Sequence, residues 1–150
     1  MSRNLYFYIS LTAITIISLL FLTGCPGASD YDIDLPDNYS IVRTSANEVT
    51  IAPKTSKDSW GSTIIPAKVT EVGWDDQYII AKQINIDSES SNGSGIPDEQ
   101  EYHFWIIQIK TGEVTGPLDD LSLTKKKEEY RISNDIVLKK IEDLKKNYTY

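Results

Sequence analysis

Asp30, Asp32, Asp34 and Asp37, in the stretch DYDIDLPD, are the densest set of candidate cation ligands in the chain. The pattern D-x-D-x-D opens a calcium loop of the EF-hand type, in which alternate carboxylates converge on one ion. Such a loop needs glycine at its sixth position and a bidentate glutamate at its twelfth. Leu35 and Ile41 stand there instead, so the stretch is expected to be solvated and acidic. His103 is the only histidine, which removes any histidine-pair metal site. Asp98, Glu99 and Glu101 lie near it in sequence, but no serine sits in a nucleophile-elbow pattern to complete a hydrolytic site. Asp75–Asp76 and Asp119–Asp120 are adjacent pairs, and neighbours on a strand point to opposite faces, so neither pair is a carboxylate dyad. GSG at 93–95 lacks the lysine and the helix of a phosphate loop. These residue types imply no enzyme, no metal and no cofactor.

Cys25 is the chain's only cysteine, so no disulfide can form within it. What precedes it has the three parts of a secretory leader. Arg3 gives a short cationic start, an uncharged stretch runs from Leu5 to Leu22, and the small residues Thr23 and Gly24 come just before the thiol. Leu22-Thr23-Gly24-Cys25 resembles a bacterial lipobox. The leucine suits an apolar enzyme pocket, and the small residues open the backbone beside Cys25 to a signal peptidase. The thiol would then carry diacylglycerol, and two acyl chains exceed the threshold for stable anchoring. A retained membrane helix is the competing reading, but polar residues dilute the apolar run and no basic cluster follows it. Pro26-Gly27 would end a helix there. The expected localisation is the cell membrane, lipid-anchored through Cys25 and facing outward, or the outer membrane if the host has one.

The chain is acidic, with a formal net charge of −7. A nucleic-acid surface needs concentrated Lys and Arg, so nucleic acid is excluded as a partner class. Acidic residues outnumber basic ones across 26–120, whereas 121–150 is net basic. A lysine-rich solvated helix accounts for that contrast, with an anionic-lipid patch as the sharper alternative. The partners implied are the bilayer, through acylated Cys25, and an envelope or secreted protein. Trp60 in KDSWGS and Trp74 in GWDD are the candidate binding surface, since an exposed tryptophan in a loop or turn acts as an anchor. Packing over a sheet edge is the competing reading for both.

These residues are positioned by a simple expected framework: residues 1–24 a signal peptide, 25–38 an acidic tether, 39–150 a single α+β domain. Pro26 to Asn38 is small, acidic and proline-punctuated, and fully extended it reaches at most roughly 45 Å. From Tyr39 the pattern becomes strand-like. Tyr39–Thr44 and Glu48–Ala52 flank a hairpin at Ser45-Ala46-Asn47. Residues 53–63 are expected to be a loop, Ile64–Val72 a strand interrupted near Pro66, and Gln77–Ile86 a strand apolar on both faces and therefore central. Residues 87–100 are low in complexity, a long connection. Tyr102–Ile109 is another two-faced strand, followed by a turn and a short edge strand ended by Pro117. Asp119–Tyr130 is a polar helix, and from Ile136 the residues Val137, Ile141, Leu144 and Tyr148 recur at helical spacing. The expected fold is α+β, an antiparallel β-meander of about five to six strands with one or two C-terminal helices packed on one face.

Several stretches together resemble a family of small bacterial lipoproteins of unknown function, found mainly in Gram-positive bacteria. They are the lipobox at 22–25, Leu35-Pro36 with Tyr39, Tyr78-Ile79-Ile80-Ala81-Lys82, Trp105-Ile106-Ile107, and Gly116-Pro117-Leu118 ahead of a lysine-rich helix. The resemblance implies location and a single-domain fold. It brings no catalytic or ligand residues. The function implied is a non-enzymatic envelope binding module, with an anchored inhibitor or immunity-type protein, acting on a secreted enzyme or toxin, as the alternative.

Overall fold

The computed structural model describes residues 30–84 and 102–147. Leu22, Thr23, Gly24 and Cys25, the 87–100 connection and Tyr148 lie outside them. The described chain forms two antiparallel sheets and two short helices, mostly β with a small helical part. The first sheet runs β1 (Tyr31–Asp34), β2 (Tyr39–Arg43), β3 (Val49–Ser56) and β4 (Ser59–Trp60), in that order across the sheet. The second contains β5 (Val69–Trp74), β6 (Tyr78–Ile84), β7 (Tyr102–Gln108), β8 (Val114–Leu118) and the short β9 (Lys139–Lys140), ordered β8-β7-β6-β5-β9. Helix α1 spans Asp120–Tyr130 and α2 spans Ile141–Asn147.

The sheets bury their facing sides against each other. Ile33, Ile41 and Ile51 from the first sheet meet Val72, Ile79 and Ile107 from the second in one core, which Ile141 and Leu144 of α2 complete. Strand alternation sends Ile80 and Ile106 to the opposite face of the second sheet, into a smaller cluster with Ile132 and Ile136. Leu123 and Tyr130 of α1 pack on that cluster. This is why β6 and β7 read as apolar on both faces: β6 is the middle strand of a sheet covered on both sides.

Three expectations are corrected. A single meander becomes two sheets, because the chain leaves the first sheet after Trp60 and crosses over. On the way Ile51 donates its N–H to the Ile65 carbonyl at 3.1 Å, and Ile65 is fully buried. The regular strand starts only at Val69, after Pro66. The 25–38 tether is also too long. Residues 31–34 form β1, paired with β2 in the register Ile33↔Ile41, and a one-turn 3-10 helix follows at Pro36–Asn38. Ile33 and Leu35 are the apolar residues of that acidic stretch, and both are buried in the inter-sheet core. Burying them outweighs the local charge density that suggested a solvated tether.

The third correction is the C-terminal helix. It does not start at Ile136, and the two helices do not share a face. Ile136 belongs to the outer cluster and Ile141 to the inter-sheet core, so the chain must pass around the edge of the second sheet between them. A helix cannot turn that corner, and an extended segment can. Lys139 and Lys140 pair there with Val72 and Glu71 of β5 as β9. Val137 is left 65% exposed. Gly73 makes the passage possible, since a Cβ on it would stand 2.6 Å from the Val137 carbonyl oxygen.

Candidate functional site

The antiparallel strands leave one end of the molecule where β1, β5 and β7 begin and β2 and β6 finish. A groove of about 470 Å³ opens at that end. Its apolar lining includes Val49, Val69, Ile84 and Ile141, with Tyr31 and Tyr102 as aromatic walls. Arg43, Lys68 and Lys140 bring positive charge, and Glu71 and Glu142 bring carboxylates. No short motif could announce this set, because its members come from separate strands and are neighbours only when the two sheets stack.

Further cations stand over the aromatic walls. Lys145 Nζ lies 4.5 Å from the Tyr31 ring centre, and the Arg43 guanidinium lies 5.4 Å from the same ring. Lys82 Nζ lies 4.1 Å from the Tyr102 ring centre and 3.5 Å from Glu71 Oε1. The quadrupole of each tyrosine face attracts these cations. Burial pushes the Tyr31 phenol above its ordinary pKa, with Arg43 opposing and Glu142 reinforcing the shift. The phenol is therefore a neutral hydrogen-bonding group at physiological pH. Arg43, Lys68, Lys82, Lys140 and Lys145 outweigh Glu71 and Glu142 here, within a chain that is acidic as a whole. The groove lining alone carries three cations, Arg43, Lys68 and Lys140, against the two carboxylates Glu71 and Glu142.

The acidic stretch meets a different fate. Asp32 and Asp34 are two apart on β1 and share a face. Lys54 of β3 donates to both, at 2.9 Å to Asp32 Oδ2 and 2.6 Å to Asp34 Oδ1. These bonds, the one to Asp34 first, hold the Lys54 ammonium well above its ordinary pKa. Lys54 thereby pairs with both carboxylates at once. Among the described residues, no three of His, Cys, Asp and Glu cluster to hold a metal.

Trp60 and Trp74 lie on different sheets, and each is half-buried. Trp74 packs against the inter-sheet core and lines a shallower hollow of about 310 Å³ with Val72, Gly73 and Val137. Trp60 sits on β4, where its indole N–H is buried and makes no hydrogen bond. Among the described residues, the large apolar side chains that stand exposed are Tyr102, Leu121 and Val137. Trp105 is half-buried, and its indole N–H donates to Gln83 Oε1 at 2.6 Å. Gln83 donates in turn to the Ala67 carbonyl at 2.6 Å. His103 is half-buried on β7, opposite Gln83. Asp75 and Asp119 serve the backbone. Asp75 accepts from the N–H groups of Gln77 and Tyr78 in the β5–β6 turn, and Asp119 caps α1 by accepting from the Ser122 N–H at 2.7 Å.

Sequence reasoning missed the groove residues Tyr31, Arg43, Lys68, Tyr102 and Lys140. The basic C-terminal stretch was the one signal available, and it pointed to Lys140 and Lys145 without saying what they face.

The fold and its groove define a small two-sheet domain with a positively charged hollow where strands end. The chain belongs to the family described as Protein of unknown function (DUF3997), which it matches over residues 36–142. No curated protein and no solved structure matches it significantly. Among the described residues no helix is long and apolar enough to cross a membrane.

Proposed function

We propose that this protein is a lipid-anchored, non-enzymatic binding module of the bacterial envelope, which engages its ligand through the groove at the strand ends. The observation that carries the binding role is the groove itself. Arg43, Lys68 and Lys140 line it beside two tyrosine faces, in a chain whose net charge is −7. Concentrating cations against the prevailing charge raises the local concentration of anionic ligands. Support for the anchor comes from Leu22-Thr23-Gly24-Cys25 at the end of an apolar leader.

Both clusters of the core are built from residues between Ile33 and Leu144, so a 26–150 chain retains all of it and is a fair probe. Immobilised on beads, it should retain an anionic component from envelope extract. Lys68→Glu with Lys140→Glu should lose that component while melting at the same temperature. Equal retention by both proteins would remove the groove from the reading. The anchor is tested by metabolic palmitate labelling, where Cys25→Ala should abolish the label and an undiminished label would sink the idea.

A further inference from the structure

The groove lies at the end of the domain where the chain arrives from its anchor. Tyr31, the first residue of β1, lines the groove, and Cys25 is six positions earlier in the sequence. Six extended residues span about 20 Å at most, so a lipidated Cys25 holds the groove end next to the bilayer. The groove itself carries the excess of positive charge. Arg43, Lys68 and Lys140 line it against Glu71 and Glu142, and Lys145 stands over the Tyr31 ring. A membrane with a negative surface potential therefore attracts the groove locally. Tyr31 and Tyr102 suit the headgroup region, where amphipathic rings are favoured.

Resting on the binding-module reading above, we propose that the groove's ligand is the anionic phospholipid headgroup layer of the membrane that holds the anchor. The domain lies groove-end down, with phosphate oxygens accepting hydrogen bonds from Lys68, Lys140 and Arg43. The anchor keeps the effective concentration of headgroups at the groove high, so even a weak groove contact sets the orientation of the domain.

The test is sedimentation of the 26–150 chain with vesicles of phosphatidylcholine, with and without phosphatidylglycerol. Binding should require phosphatidylglycerol and fall as salt rises. Each cation at the surface is worth roughly a fivefold change in binding, so Lys68→Glu with Lys140→Glu should weaken it by more than about 25-fold. Lys125→Glu with Lys127→Glu on α1 makes the same change in net charge away from the groove and should leave binding within about twofold. Equal loss in both variants, or no binding to phosphatidylglycerol vesicles, overturns the proposal. So does displacement by glycerol 3-phosphate at matched phosphate, which would assign the groove to a soluble anion. Vesicle binding that emerges only after Asp87, Glu89, Asp98, Glu99 and Glu101 are neutralised also overturns it, by making that acidic segment the groove's occupant. If vesicles fail but the envelope extract still yields a ligand that depends on Lys68 and Lys140, the binding module stands and only its lipid assignment falls.

Discussion

Ile33 separates a tether from a strand, since it lies in the acidic stretch yet is 1% exposed in the inter-sheet core. Ile33→Ala removes three carbons from that core. At about 0.8 kcal/mol per buried methylene the transfer loss is about 2.4 kcal/mol. The cavity left behind adds to it, because Ile33 faces the fully buried Ile41 across the register and neither strand can collapse freely. A total of about 3 kcal/mol sits inside the usual range for such truncations. Roughly 100 ordered residues give an unfolding entropy near 0.2 kcal/mol per kelvin, so the melting temperature should fall by about 14 °C. Circular dichroism of the 26–150 chain against temperature measures this directly. Asp30→Ala, a change at an exposed neighbour, should shift it by less than about 2 °C. A loss below about 3 °C for Ile33→Ala would refute the reasoning, because a residue in a solvated tether can be truncated silently.

Gly116→Ala places a Cβ 2.5 Å from Trp105 Cε3 and 2.9 Å from the Phe104 carbonyl oxygen. Displacing the indole should cost about 1–3 kcal/mol and shift tryptophan fluorescence; wild-type emission and stability would show that the ring does not rest on this glycine. Trp105→Phe leaves the buried Gln83 Oε1 without its donor, and urea unfolding should report a loss of about 1–3 kcal/mol. A change under about 0.5 kcal/mol would mean the bond is replaced by water. Hydrogen bonds from Ser122, the backbone one first, hold the Asp119 carboxyl below its ordinary pKa. Its contribution is therefore complete above about pH 4 and is lost as pH falls through the lowered folded value. Asp119→Ala should flatten that part of the acid limb of the stability curve, and an unchanged limb would remove the cap from the account.

Much of the framework was legible residue by residue. The paired faces of Tyr78–Ile84 and Tyr102–Gln108 required a sheet covered on both sides, and β6 and β7 are the strands so covered. The hairpin at Ser45–Asn47 followed from turn chemistry, which acts over three or four residues. Asp32 and Asp34 are exposed, as the acidic pattern implied, but their pairing with Lys54 was not legible because it lies twenty or more positions away. The stripe from Ile136 to Leu144 read as one helix because spacing says that apolar residues are buried, and not on which side of which sheet.

Cys25 is the clearest case of what sequence alone determines. The proposed leader and the lipobox-like Leu22-Thr23-Gly24-Cys25 would be read by enzymes as a linear string, so the expected address needs no fold to be legible. The groove is the opposite case. Tyr31, Arg43, Lys68, Tyr102 and Lys140 span more than a hundred positions, and none is unusual where it stands. They become one surface only when β1 joins the first sheet and β9 turns the edge of the second. Burial of a few isoleucines drives both events, and no local pattern encodes where those side chains meet.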